Sequence, residues 1–521
     1  MKFSPLFSKI LPYLIIIVFG FLLYYQTLSF SFTYLDDNKL ILDNQINLNE
    51  SSLLKIFTSD VFLAGADNSF YYRPLLNLSF LLDLKLGSTL PFFFHFTNLF
   101  LHLIATCLVF FIFKKYFFSK NTAFFLSAIF LTHPVLVQAV AWIPGRNDSL
   151  LTIFILSSFV LFLDFLRTDK IKYFWWHLIF FLLALFTKET AIFLPLLLVA
   201  YYFLFDYKFI DDKKDNFLII GVSWFSAAFI WFLFKKVAIL THSSLTDLLL
   251  SGWHNALGLF VYLGKIIIPF NLSVYPTINQ STFWFSLITI LIIIVAVYYT
   301  IRFNYKNIAF GLLWFFVFLL PSFLSPNPET VFSFFEHRLY LPIFGLLICA
   351  AELYPLKDLN WTKKNISIAS LVIIFFSLLT MWHTSDFSDR LSFWKAAVSS
   401  SPNSAFAKNN LGAMYHLDGD LDAARHYYLE ALRLDGSQRL VHNNLGLIAV
   451  NQKRYTEAES EYSKELAINP YYDNAWLNLG ILYVKMGKLK EAKNSFQNAY
   501  QINPNNGQAY NNLLILNSKV E

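Results

Sequence analysis

The sequence predicts an all-α protein in two parts, a polytopic transmembrane helical bundle of about 11 spans followed by a C-terminal α-solenoid. Three observations predict it. Hydrophobic residues make up 56% of the 521 residues and charged residues only 14%, where soluble domains carry about a quarter charged. Apolar runs long enough to cross a bilayer, at about 20 residues each, recur through residues 1–382. Beyond them the composition turns polar, and Leu411-Gly412, Leu445-Gly446 and Leu479-Gly480 recur at a spacing of 34.

The apolar runs lie at 10–30, 92–113, 123–143, 149–166, 173–186, 190–205, 217–234, 282–301, 308–325, 338–355 and 365–382. The first reads as a retained helix, because no small-residue cleavage site precedes its polar flank. A further stretch, 253–269, is interrupted by Gly258, Gly264 and Lys265 and closes on Pro269. Charge decides its reading. If it does not span and the N-terminus is cytoplasmic, the inside segments hold Lys2/Lys9, Lys114/Lys115/Lys120, Arg167/Lys170/Lys172, Lys208/Lys213/Lys214, Arg302/Lys306 and Lys357/Lys363/Lys364. If it spans, the last two clusters move outside. It is therefore expected to be interfacial or re-entrant. The first loop, 31–91, and the C-terminal repeats then share the exterior. Charge also bounds function. From Asp386 onward 14 Lys+Arg balance 14 Asp+Glu, so the net charge of +6 belongs to the membrane half, and nucleic-acid binding has no electrostatic support. Cys107 and Cys349 sit in apolar runs and imply no disulfide framework.

The C-terminal part, 386–521, carries Ala424, Ala458 and Ala492, then Tyr428, Tyr462 and Phe496, then Pro470 and Pro504, in one register. This resembles the tetratricopeptide repeat, a helix–turn–helix unit of that period. Repeats run at 405–438, 439–472 and 473–506, with a capping helix at 507–521. Asn410, Asn444, Asn478 and Asn512 hold one slot in successive units. An amide both donates and accepts, so the column suits an extended acceptor polypeptide. It equally suits bonds within the solenoid.

The candidate chemistry lies in the membrane half. Asp36-Asp37 opens the 31–91 loop. Adjacent carboxylates in extended backbone face opposite ways, so one can take a proton while the other binds or orients. A solvated loop start is the plainer reading. The same loop carries Tyr72-Arg73-Pro74. His95, Asn98 and His102 share a face of the second span, and for the two histidines a buried hydrogen bond is expected before metal ligation. His133-Pro134 lies in the third span, Trp142-Ile143-Pro144-Gly145-Arg146 at its outer end, Thr187-Lys188-Glu189 in an outer turn, and Glu336-His337-Arg338-Leu339-Tyr340 before the 338–355 run. Ionisable groups in a membrane are costly and mark function. Arg73, Arg146, Lys188 and Arg338 suit a phosphate, or, taken singly, helix-ending cations. No grouping has metal-ligand spacing.

The ordered set Leu35-Asp36-Asp37, Tyr72-Arg73-Pro74-Leu75, His133-Pro134-Val135, Ala139-Val140-Ala141-Trp142-Ile143-Pro144-Gly145-Arg146, Thr187-Lys188-Glu189 and Arg338-Leu339-Tyr340-Leu341-Pro342 resembles the transmembrane and tetratricopeptide-repeat O-mannosyltransferase family, of the GT-C glycosyltransferase superfamily. The resemblance implies transfer of a sugar, mannose by family, from a polyprenyl-phosphate donor to Ser/Thr hydroxyls, with inversion. It implies Asp36 and Asp37 as the catalytic pair and no metal or other cofactor. Donor phosphate would be held by Arg338, Lys188, Arg73 and Arg146, with Glu189, His95, His133, Glu336 and Tyr340 in support. Two departures stand out. Gln138 occupies a position expected to be acidic, and His337 interrupts an expected pair of arginines. The composition suggests a prokaryotic relative. Two other readings stand beside it: an O-antigen ligase or polymerase, whose long loop comes late where this one comes first, and a non-catalytic membrane scaffold. A transporter would place ionisable residues at midspan.

The charge pattern makes the side of the repeats measurable. Single cysteines at Ser437 and Ser518 are expected to react with a membrane-impermeant thiol reagent on intact cells, and labelling only after lysis would invert the topology.

Overall fold

In a computed structural model the protein is described over residues 5–63, 71–205, 214–239, 245–270, 272–277, 283–324, 334–357 and 359–520. Lys2, Lys208 and Lys213 of the basic clusters lie outside these residues. The described part is helical throughout and divides into two compact units, Met1–Phe393 and Trp394–Glu521.

Among the described residues six helices are long and apolar enough to cross a membrane: Ser8–Ser29, Pro91–Phe117, Ile143–Thr168, Leu218–Ala238, Tyr305–Phe323 and Lys363–Phe387. A seventh is broken, Lys120–Thr132 meeting Pro134–Ala141 at 52°. The expected count of eleven is therefore not reached by full-length helices. The chain's own helix breakers account for the difference. Thr132 ends a helix because His133 precedes Pro134 and takes extended backbone. Ile171–Thr187 and Glu189–Phe205 are shorter because the chain breaks at Lys188, and Trp284–Tyr299 is shorter too. The 338–355 run supplies only Ile343–Ala351 as α-helix. The 253–269 stretch supplies Gly258–Ile267, ten residues. At 1.5 Å rise per residue that is about 15 Å, half a hydrocarbon core.

The described part of the 31–91 loop is packed rather than draped. Short helices Asn38–Leu42, Gln45–Glu50 and Leu53–Thr58 precede Pro74–Gly87. Phe32, Ile41, Leu48, Leu76 and Phe80 form one buried cluster with Phe94 of the second span and Ile143. The loop thus has a hydrophobic floor made by the membrane helices, which fixes whatever it carries.

The helix Tyr305–Leu319 crosses Ile343–Ala351 through two glycines. A Cβ on Gly311 would stand 2.4 Å from the Gly345 carbonyl oxygen, and one on Gly345 would stand 2.3 Å from that of Gly311. Backbone cannot yield as a side chain can, so only glycine permits this crossing.

The second unit pairs Ala405–Leu417 with Leu421–Leu434, Val441–Asn451 with Tyr455–Ile468, and Asp473–Lys485 with Leu489–Ile502, and closes on Gly507–Val520. Gly446 lies against the Tyr462 ring and Gly480 against Phe496, the close helix approach that the repeat requires.

Gly311→Ala is expected to push the Ile343–Ala351 helix away and, with it, the preceding Glu336–Tyr340 turn. Thermal unfolding in detergent should fall and turnover should fall with it, whereas Gly221→Ala, with open space around it, should change neither.

Candidate active site

The two neighbouring carboxylates part company at once. Asp37 is fully buried. Its Oδ2 accepts from the Thr33 backbone N–H at 2.7 Å and the Thr33 hydroxyl at 3.1 Å, and its Oδ1 from the backbone N–H groups of Tyr34 at 2.7 Å and Asn38 at 3.1 Å. Tyr34 takes φ 61°, a left-handed turn these bonds hold in place. Burial pushes the Asp37 carboxyl up to about 6, against the pull of Thr33 and Tyr34 and with a push from Asp36. Asp37 is ionised at neutral pH but has no lone pair to offer a substrate.

Asp36 points the other way. Its side chain is open to solvent and makes no hydrogen bond among the described residues. Protein nevertheless packs around it. That burial pushes its carboxyl above the ordinary range, while Lys39 and Arg73 pull it down. Tyr275 faces it, and burial together with Asp36 raises that phenol to about 12.

Arg73 leads the Pro74–Gly87 helix, extended because Pro74 follows. Its guanidinium lies 4.7 Å from the Tyr71 ring, and its buried Nε has no hydrogen-bond partner. Its charge is felt by Asp36, Glu189 and His337. Burial would raise Glu189, but Arg73, its own backbone N–H, Lys235 and Lys188 outweigh that and hold it below the usual carboxylate range. Lys188 Nζ lies 2.8 Å from Asp148 Oδ1. His337 Nε2 lies 4.0 Å from Asp148 Oδ2. Arg338 packs over Phe335 at 5.6 Å and reaches the Tyr262 hydroxyl. Asp36, Arg73, Lys188, Glu189 and Arg338 are thereby linked in one electrostatic neighbourhood with Asp148 and His337.

Other expected site residues stand apart from it. Arg146 is fully buried and walled in. Asp83 pairs with its Nη1 at 2.5 Å, Asn98 accepts from Nε at 2.7 Å, the Phe94 carbonyl from Nη2 at 2.8 Å and Ser79 from Nη1 at 3.3 Å. The phosphate role expected of Arg146 is corrected on these grounds, since its donors already have acceptors. His95 is buried against Phe30. His133 Nε2 donates to the Ile266 carbonyl at 2.8 Å, while its Nδ1 accepts from the Val135 N–H. The Tyr340 hydroxyl meets His102 Nδ1 at 2.6 Å. Glu336 is buried between Lys265 at 2.5 Å, the Ser273 N–H at 2.8 Å and His383 at 3.2 Å. It anchors the turn that carries His337 and Arg338.

In the repeats, the Asn444 amide donates to Asn409 Oδ1 at 3.4 Å, Asn478 to Asn443 Oδ1 at 2.9 Å, and Asn410 to the Phe406 carbonyl at 2.8 Å. Three of the four amide donors thus serve the solenoid itself; Asn512 is half-buried.

Two contributors escaped the sequence reading. Asp148 sits in the first turn of a helix, where an acidic residue is ordinary, and nothing local marks it. Tyr275 lies in a short irregular segment without a motif. Among the described residues no group of three or more His, Cys, Asp or Glu is arranged to hold a metal.

Comparison with known proteins adds to the geometry. Residues 84–231 match the family described as dolichyl-phosphate-mannose-protein mannosyltransferase, and 418–473 and 474–506 match tetratricopeptide repeats. The Caenorhabditis elegans protein O-mannosyl-transferase F38B6.6 is 26% identical over 448 residues, 81% of this chain and 63% of its own. Human protein O-mannosyl-transferase TMTC2 is 35% identical over 153 residues, 29% of this chain and 18% of its own. The chain thus spans less than two thirds of either relative. Over the repeats, the first such domain of Spaghetti (RPAP3), solved with an HSP90 peptide, is 25% identical, covers 22% of this chain and 92% of its own, and has a TM-score of 0.22.

Arg146→Ala should cost about 3–5 kcal/mol of stability, because it strands a buried Asp83 carboxylate. The measurement is thermal unfolding in detergent.

Proposed function

We propose that this chain, which belongs to the TMTC-like protein O-mannosyltransferase family, is a membrane glycosyltransferase that moves a sugar, mannose by family, from a polyprenyl phosphate to Ser/Thr hydroxyls of polypeptide. The observation that carries the reading is the opposition of two groups. Among the described residues, the Asp36 side chain is solvent-open and makes no hydrogen bond, and Arg73 is a cation in its field whose Nε has no partner. One suits a proton, the other an anion.

The reaction is inverting. Asp36 takes the proton of the acceptor hydroxyl as its oxygen bonds to the anomeric carbon. The bond from that carbon to the phosphate oxygen breaks on the opposite face. The polyprenyl phosphate leaves as an anion and needs no proton. Arg73, Arg338 and Lys188 meet its charge. The raised pKa of Asp36 suits a base, since basicity rises with pKa. Asp37 acts through the backbone, holding the 33–38 turn that aims Asp36. The loop and the repeats face the exterior, and the repeats take acceptor polypeptide through surfaces other than the donors of Asn410, Asn444 and Asn478.

The two aspartates test this separately. Asp36→Asn should lower kcat by about 10²–10⁴ with unchanged thermal unfolding, assayed with polyprenyl-phosphate mannose and a Ser/Thr peptide. Asp37→Asn turns an amide N–H₂ toward two N–H donors, so it should lower the unfolding temperature as well as turnover. Arg73→Ala should raise the apparent KM for the donor. Wild-type turnover in Asp36→Asn would remove it as the base.

A further inference from the structure

Gln138 and His337, 199 residues apart in the chain, touch each other. Gln138 Oε1 accepts from the His337 backbone N–H at 3.2 Å and lies 3.1 Å from His337 Nδ1. Gln138 Nε2 donates to the Val274 carbonyl at 3.1 Å. These contacts fix which end of the amide is oxygen, and an amide oxygen only accepts. His337 Nδ1 therefore carries the proton. Stacking holds the ring in place, with Trp142 and Phe335 each 5.4 Å away.

The consequence appears at the other edge of the ring. Nε2 is bare, takes no hydrogen bond among the described residues, and faces Asp148 Oδ2 across 4.0 Å. The other Asp148 oxygen is held by Lys188 at 2.8 Å. The His337 side chain keeps 13% of its surface accessible. Two acceptors thus flank one space, with an ammonium beside it. A phosphate offers only acceptors and is repelled by both. An isoprenoid would leave both unpaired. A carbohydrate hydroxyl can donate to either acceptor and accept from the ammonium.

We infer that His337 and Asp148 form a subsite that reads a hydroxyl of the transferred sugar, with Gln138 setting the tautomer that makes His337 an acceptor. This rests on the sugar-phosphate reading above. His337 is a positioning and specificity residue, not a base.

Charge around the ring agrees with this role. Lys188, Arg338 and Arg73 face His337, Asp148 is the carboxylate that meets its ring, and Gln138 is neutral. Burial first, then the three cations, hold the imidazole well below its usual range. A carboxylate at position 138 would reverse this by stabilising the imidazolium, turning Nε2 into a donor.

The test uses the full chain and two probes, a polyprenyl phosphate and the same lipid bearing mannose. His337→Asn keeps an amide near Gln138 but leaves nothing at the Nε2 position. It should raise the KM for the mannosyl lipid about five- to tenfold, the worth of one neutral hydrogen bond, with binding of the bare lipid phosphate unchanged. His337→Gln, whose amide reaches the Nε2 position, should recover most of the loss. Gln138→Glu should introduce an acid-side loss of transfer that is regained as pH rises, absent from the wild type. Equal damage in His337→Asn and His337→Gln would reduce the ring to packing and overturn the proposal. So would equal weakening of both probes, which would mark a phosphate grip. If the wild type binds neither probe, the sugar-phosphate reading itself fails.

Discussion

An arginine shut away from water must find every partner inside the protein, and Arg146 does so by joining three separate pieces of chain. Asp83 and Ser79 come from the loop helix Pro74–Gly87, Asn98 and Phe94 from the second span, and Arg146 itself opens the Arg146–Thr168 helix. Asn98 extends the knot, its amide reaching the carbonyls of Val140, Trp142 and Ile143 across the break before that helix. A buried pair of this kind adds little net stability over an apolar packing, but it does not tolerate the loss of one member. Its effect is registration. Arg73 begins the helix that Asp83 lies on, and Asp148 stands two residues beyond Arg146. The ion pair therefore sets the distance between a loop-borne cation and a span-borne carboxylate, neither of which belongs to the pair itself.

A second knot works the same way from the other side. Glu336 joins Lys265, the Ser273 backbone and His383, so the turn bearing His337 and Arg338 is tied to a short helix and to the Lys363–Thr384 helix. The glycine crossing at Gly311 and Gly345 supports the same turn from behind. The side chains left for substrate are those not used in either knot. Arg73 and Asp36 differ from Arg146 and Asp37 in saturation, not in residue type.

That difference explains what was legible in the sequence and what was not. The helical class, the membrane half and the 34-residue repeats follow from composition and spacing, which are properties of the chain alone. The ordered motifs could be found because they sit at helix breaks, several of them written in proline and glycine. Sorting within the motifs was beyond reach. Arg146 and Arg73 look alike beside their prolines, and only Asp83, distant in sequence, shows that one of them is already paired. Asp36 and Asp37 are interchangeable on paper until the Thr33–Tyr34 turn assigns them opposite directions. The span count of eleven is not matched by unbroken helices among the described residues, for a related reason. Hydropathy measures apolar content, whereas a crossing needs unbroken helix, and the breaks that build the site shorten the helices around it. In the repeats, a column of asparagines read equally well as a peptide ladder or as internal bonding. The choice depended on Asn409 and Asn443, one residue earlier, which accept from the next repeat.

Two departures from a family pattern, met singly in the sequence, looked like losses of charge at Gln138 and His337. Their contact gives them a joint meaning. An acidic residue and a second arginine at these places would make a charged pair. Glutamine and histidine make a neutral one in the same geometry, with donor and acceptor matched. Exchanging both positions together avoids a lone buried charge, which is the costly outcome. It also changes what is presented next to Lys188 and Asp148. A guanidinium has only donors, whereas a neutral imidazole whose Nδ1 proton is already engaged has only an acceptor to offer. The scaffold around the site can therefore stay constant while the polarity of one wall is inverted. On the proposal above, a substituent of the substrate that meets this wall donates its hydrogen bond.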